Sequence, residues 1–168
     1  MSASRLQPDG PSAAADPPPS PLTILVAEDD DGHAELIRLQ FKRAGLTLPM
    51  LRFADGQEVL DFLFRRGAGP HRQSGRSYLV LLDIRMPKVD GMTVLRAIKS
   101  QPELMKLPVI MLTTTDDPKA VDECYDAGCS LFMSKPTDAG TFFEALRRLG
   151  LLLQMVATPR INGLLEAG

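Results

Sequence analysis

The chain has 168 residues, 44% hydrophobic and 24% charged, which suffices to enclose one sizeable core and sets no unusual compositional demand. A formal net charge of -2 and a pI near 5.7 give no general attraction to nucleic acid or to an anionic membrane surface. No apolar run approaches the ~20 residues of a membrane span. No basic-then-apolar leader opens the chain, and the two cysteines, Cys124 and Cys129, lack metal-ligand spacing, so the expected compartment is a reducing cytoplasm.

Residues 1–21 hold six prolines and little large apolar surface, so burial cannot offset the entropy of ordering them, and they are expected to be a disordered extension. From Leu22 short apolar runs alternate with amphipathic stretches, the pattern of βα units around a parallel sheet. Strands are predicted over Leu22 to Ala27, Met50 to Ala54, Tyr78 to Leu82, Pro108 to Leu112 and Leu131 to Met133. The intervening helices carry apolar stripes at Ala34, Ile37, Phe41 and Ala44, at Val59, Leu60 and Leu63, at Val94, Leu95 and Ile98, and at Ala120, Val121 and Cys124. Phe142, Leu146, Leu149, Leu153 and Val156 mark the fifth. With right-handed crossovers these units predict a doubly wound (βα)5 parallel five-stranded sheet in a three-layer sandwich. The domain is expected over residues 22–157, followed by a short tail at 158–168. The stretch RRGAGPHRQSGRS at 65–77 reads as a surface loop with solvated arginines.

Ligands of an open α/β sheet bind beyond the carboxyl ends of its strands. The first predicted strand ends in Glu28-Asp29-Asp30-Asp31, the third in Asp83, the fourth in Thr113-Thr114-Thr115 and the fifth in Ser134-Lys135-Pro136. Carboxylates brought to one rim repel each other unless they share a hard cation, and Mg2+ is the usual answer. Taken singly, each piece has a plainer reading: the acidic run as a helix cap, Asp83 as a strand-ending cap, the threonines as β-formers, Lys135 as a solvated lysine. Their joint placement on one edge outweighs the four separate readings.

The segments ILVAEDD at 24–30, LVLLDIRMPKVDG at 79–91, PVIMLTT at 108–114 and FMSKP at 132–136 resemble the receiver domain of two-component response regulators, a flavodoxin-like fold. The resemblance implies that Asp83 accepts a phosphoryl group from a histidine kinase or a phosphotransfer protein. It further implies that Glu28, Asp29 and Asp83, with the backbone carbonyl of Arg85, hold Mg2+. Thr113 and Lys135 would hold phosphoryl oxygens, Phe132 would be an aromatic switch, and the Lys135–Pro136 bond would be cis. The FADGQEVLDFLFRRG stretch and the long basic loop resemble the stand-alone regulators of bacterial phytochromes, which implies a phytochrome kinase as partner. The 12 residues after Val156 leave no room for an output domain, so output is expected to be a protein contact. Family resemblance and surplus apolar residues on the fifth helix, Leu151, Leu152 and Met155, point to a homodimer.

Three other readings fit parts of the pattern. An aspartyl-nucleophile Mg2+ phosphatase of the haloacid dehalogenase type needs a second acid where Arg85 stands. A flavin module needs a phosphate-cradling loop where EDDDGH stands. A receiver-like docking module that is never phosphorylated would have no use for the intact acceptor set. The expected role is thus not enzymatic beyond self-phosphorylation from small donors and self-dephosphorylation. His33 and His71 read as surface histidines.

Overall fold

The computed structural model describes residues 22–162, so the expected extension at 1–21 and the last six residues lie outside the described part. Five parallel strands, β1 (Thr23–Ala27), β2 (Met50–Phe53), β3 (Arg76–Leu82), β4 (Val109–Thr113) and β5 (Leu131–Ser134), lie in the order β2-β1-β3-β4-β5. They alternate with α1 (Asp31–Arg43), α2 (Gly56–Phe64), α3 (Gly91–Ser100), α4 (Pro118–Asp126) and α5 (Ala139–Leu153). The doubly wound (βα)5 sheet is as expected. β1 sits between β2 and β3, where strand order reverses, which puts its carboxyl end at the crevice where such folds bind ligands.

The two-residue side-chain period of a strand divides the core into two layers. Leu25, Ala27, Val80, Leu82, Val109 and Met111 face α2, α3 and α4, packing on Val59, Leu63, Val94, Ile98 and Cys124. Ile24, Val26, Leu79, Leu81, Ile110 and Leu112 face α1 and α5, packing on Ile37, Phe41, Phe142, Leu146 and Leu149. Deleting one such side chain to alanine costs roughly 2–5 kcal/mol. All five helices open on an aspartate whose carboxylate accepts a backbone N–H of the first turn: Asp30, Asp55, Asp90, Asp117 and Asp138. Capping by Asp30 leaves Glu28 and Asp29 uncommitted to the helix.

Gly150 does not break α5. A Cβ there would come within 2.9 Å of Ala44, so the glycine lets α1 and α5 cross closely. The helix ends at Leu153, and Val156 is 41% exposed, which corrects its assignment to the buried stripe. The chain leaves the helix at Gln154, whose amide donates to the Ala44 carbonyl, and then turns back. Residues 160–161 form β6 (Arg160–Ile161), antiparallel to Arg76 and Ser77 at the start of β3, with Ile161 buried. The segment expected as a tail therefore enters the sheet, and β3 starts earlier than the hydrophobic pattern indicates.

The loop at 65–77 is also only partly solvated. Arg72 is buried, and its guanidinium donates to the carbonyls of Leu63 and Asn162 and to the Glu103 carboxylate at 2.6 Å. Both cysteines are free and buried, and burial pushes the Cys129 thiol up to about 11.

Candidate functional site

Four strands deliver chemistry to one rim. Glu28 follows β1 and is 2% exposed; Asp83 follows β3, with its N–H donating to the Ala27 carbonyl. Thr113 is the last residue of β4, and Lys135 follows β5, its N–H donating to the Thr113 carbonyl at 2.6 Å. All four are buried. The parallel register makes this convergence unavoidable: Ala27 is level with Leu82, and Thr113 with Ser134.

The Lys135 ammonium donates to Asp83 Oδ2 at 3.0 Å and to Glu28 Oε2. Oxygens of Glu28, Asp29 and Asp83 lie within 4.8 Å of one another, with Asp29 at the exposed side. Three carboxylates thus face one ammonium. The donor set is all oxygen and carries surplus negative charge, which fits a hard divalent cation such as Mg2+. Thr113, 1% exposed, ends β4 at the same rim as these groups.

The turn carrying Asp83 is held tightly from below. A Cβ on Gly91 would fall 2.1 Å from the Asp83 carbonyl oxygen, so only glycine lets α3 start against the end of β3. Arg85 is exposed, and its N–H lies 3.4 Å from Asp83 Oδ1, too long for a strong bond. Phe132 is half-buried against the layer of α2, α3 and α4, and its N–H donates to the Tyr125 hydroxyl at 3.2 Å, joining α4 to β5. The Lys135–Pro136 bond is trans, there being no cis peptide among the described residues, which corrects the cis expectation. An X–Pro bond intrinsically favours trans by ~0.5–1 kcal/mol, and the bonds that place Lys135 are made without a cis turn.

Sequence reasoning missed two contributors. His33 is at the surface as expected, its side chain 43% exposed, but its Nδ1 also lies 3.7 Å from Glu28 Oε1, because the Asp30 cap starts α1 beside the acidic run. Arg52, on β2, bonds the carbonyls of Glu28 and Asp29 from outside the pocket. A lone arginine in the short strand MLRF was its only signal, and its distance from the rim motifs in sequence hid the contact.

A doubly wound five-stranded sheet with an acidic, lysine-containing crevice at its switch point is the architecture of a receiver-type signalling domain. The chain belongs to the response regulator receiver domain family, whose model matches residues 24–147. It is similar to a receiver domain from Rhodospirillum rubrum, with 38% identity, TM-score 0.79, and coverage of 84% of this chain and 99% of that one. Rcp1 of Synechocystis sp. is 29% identical over 83% of this chain and 94% of its own length. The Mn2+-bound structure of Rcp1 gives 28% identity and TM-score 0.74, covering 82% of this chain and 98% of that one. The phosphorylated cyanobacterial phytochrome response regulator RcpA gives 26% identity and TM-score 0.74, covering 82% and 97%. The resemblance to stand-alone, phytochrome-associated regulators thus holds. No helix among the described residues is long and apolar enough to cross a membrane.

Proposed function

We propose that the protein is a single-domain response regulator that takes a phosphoryl group on Asp83 from a histidine kinase or phosphotransfer protein and then changes partners. The observation that carries this reading is the convergence of Asp83, Glu28, Asp29, Thr113 and Lys135 on one rim. Bound Mg2+, held by Glu28, Asp29, Asp83 and the Arg85 carbonyl, would neutralise charge on the transferring group.

The residues supply positioning and charge, which is most of what phosphoryl transfer requires. An Asp83 carboxylate oxygen attacks phosphorus in line; the O–P bond forms as the P–N bond of a phosphohistidine breaks, and the departing imidazole nitrogen takes a proton. Lys135, already on Asp83 Oδ2, stabilises the equatorial oxygens as negative charge builds. The new charge then draws the Thr113 hydroxyl toward it. That movement vacates space into which the Phe132 ring can turn, reshaping the surface of α4, β5 and α5. The likeness to RcpA supports a phytochrome kinase as the source of phosphate. The protein would act in the cytoplasm.

Incubation with acetyl phosphate and Mg2+ followed by intact-mass measurement tests the reading. Wild type should gain one phosphoryl mass, and Asp83→Asn none. No gain in wild type, or equal gain in both, overturns it.

The same reading includes a homodimer through α5. Leu151, Leu152 and Met155 are exposed to 42%, 49% and 86%, a concentration of apolar surface that a monomer would leave in water. Light scattering should show a dimer at tens of micromolar, with or without a phosphoryl analogue. Leu151→Glu combined with Met155→Glu should give a folded monomer; a wild-type monomer in both states would refute the interface.

A further inference from the structure

We propose that Arg52 is a positioning residue for the acidic pocket, fixing the backbone from which Asp29 reaches into it. The inference rests on reading Glu28, Asp29 and Asp83 as a cation site. Arg52 lies on β2, level with Val26 of β1. Its Nε and Nη2 each donate to the Glu28 carbonyl at 3.1 Å, Nη2 also donates to the Asp29 carbonyl at 3.1 Å, and Nη1 donates to the Asp31 carboxylate at 2.5 Å.

The consequence follows from which atoms are held. The Glu28 carbonyl belongs to the peptide plane before the Asp29 Cα, and the Asp29 carbonyl to the plane after it. One rigid guanidinium fork therefore fixes both planes flanking that residue. The three carboxylates depend on this to different degrees. Lys135 directly engages Glu28 and Asp83, and Glu28 also accepts the Asp30 N–H at 3.2 Å. Asp29 is exposed, and its carboxylate has no hydrogen-bond partner among the described residues. Its place in the cluster is set by its backbone alone, and the side-chain contact that holds that backbone is Arg52.

Charge and positioning predict opposite signs, which makes the inference testable. Arg52 is a cation beside a cation site, so Coulomb repulsion alone says that neutralising it tightens metal binding. Positioning says that removal weakens binding, because Asp29 loses its fixed approach and three-point geometry becomes an ensemble. The exposed pair with Asp31, whose side chain is 92% exposed, contributes little to either effect.

Mn2+ binding by electron paramagnetic resonance on the full, metal-stripped chain decides between them, using wild type, Arg52→Met and Arg52→Lys. Both variants should bind about 10-fold more weakly than wild type, the scale seen when a residue orienting a metal ligand is lost. Lysine keeps the charge but, as a point donor, cannot span both carbonyls with a planar fork. Circular dichroism melts establish that the variants are folded; should Arg52→Met unfold below the assay temperature, the lysine variant decides. Equal or tighter binding by folded Arg52→Met, or wild-type binding by Arg52→Lys, overturns the positioning role while leaving the cation site intact. Absence of Mn2+ binding in wild type would instead remove the cation site, and this inference with it.

Discussion

The two ends of β3 bury charge in contrasting ways. At its amino end Arg72 is enclosed with one carboxylate and two carbonyls, and its donors are satisfied by Glu103, Leu63 and Asn162. At its carboxyl end, about 20 Å away over seven residues, Lys135 is enclosed with two of three clustered carboxylates. The first arrangement is closed: Glu103 pairs with Arg72 directly, Arg65 nearby leaves no surplus of anions, and the residue after β6, Asn162, supplies a carbonyl. The second is left with more anions than cations. Residues of the same chemical types therefore make a structural clasp at one end and an acidic, open-sided pocket at the other. What separates them is the surplus of carboxylates at the rim rather than burial, since Arg72 and Lys135 are equally hidden.

Removing one group from each end should break this symmetry in opposite directions. Arg72→Met strands the Glu103 carboxylate and two carbonyls and should cost about 3 kcal/mol, the low end for a broken buried pair because Glu103 is 20% exposed and can hydrate. Asp83→Asn relieves crowding among carboxylates, so in metal-free buffer it should lower stability little or raise it. Urea unfolding of both variants measures this. An Asp83→Asn protein as destabilised as Arg72→Met would mean that the rim is a closed structural cluster like the clasp, and the comparison would fail.

The rim was legible in sequence because a parallel sheet makes strand ends coincide: once five apolar runs are placed, Asp83, Thr113 and Lys135 have nowhere else to go. The two-layer core was legible for the same reason of period. The clasp was not. Arg72 lies among glycines and polar residues that resemble a solvated loop, and its partners Glu103 and Asn162 are 31 and 90 residues away. The β6 pairing rests on a single buried apolar residue, Ile161, too short to carry a periodic signal. Arg52 escaped similarly, because its partners are main-chain carbonyls, which leave no mark on residue identity. Val156 was misplaced by extending a helical period past the point where Gln154 bonds back to Ala44.

A third ion pair, intermediate between clasp and pocket, gives the smallest expected effect. Lys88, in the turn after Asp83, has a left-handed backbone with φ of 65°, and its ammonium donates to Asp55 Oδ2 at 2.6 Å. Asp55 is itself buried and caps α2 by accepting the Glu58 N–H, so the pair ties the β2–α2 turn to the turn after Asp83. Burial pushes the Asp55 carboxyl upward, but the Lys88 bond and the backbone N–H groups of Glu58 and Gln57 outweigh it and hold the carboxyl below its ordinary value. A folded-state pKa below the unfolded one means stability that is fully present above the unfolded value, near pH 4, and lost as pH falls through the lowered folded value. Lys88→Met removes the main lowering partner. The stability difference between wild type and Lys88→Met should therefore be constant at pH 5 to 7 and shrink as pH drops toward 3. It should stay small throughout, because the Lys88 side chain is 63% exposed and water screens the pair. Thermal melts of both proteins across this range would show it; a difference that stays constant down to pH 3 would mean that Lys88 acts through its backbone and packing, not through its charge on Asp55.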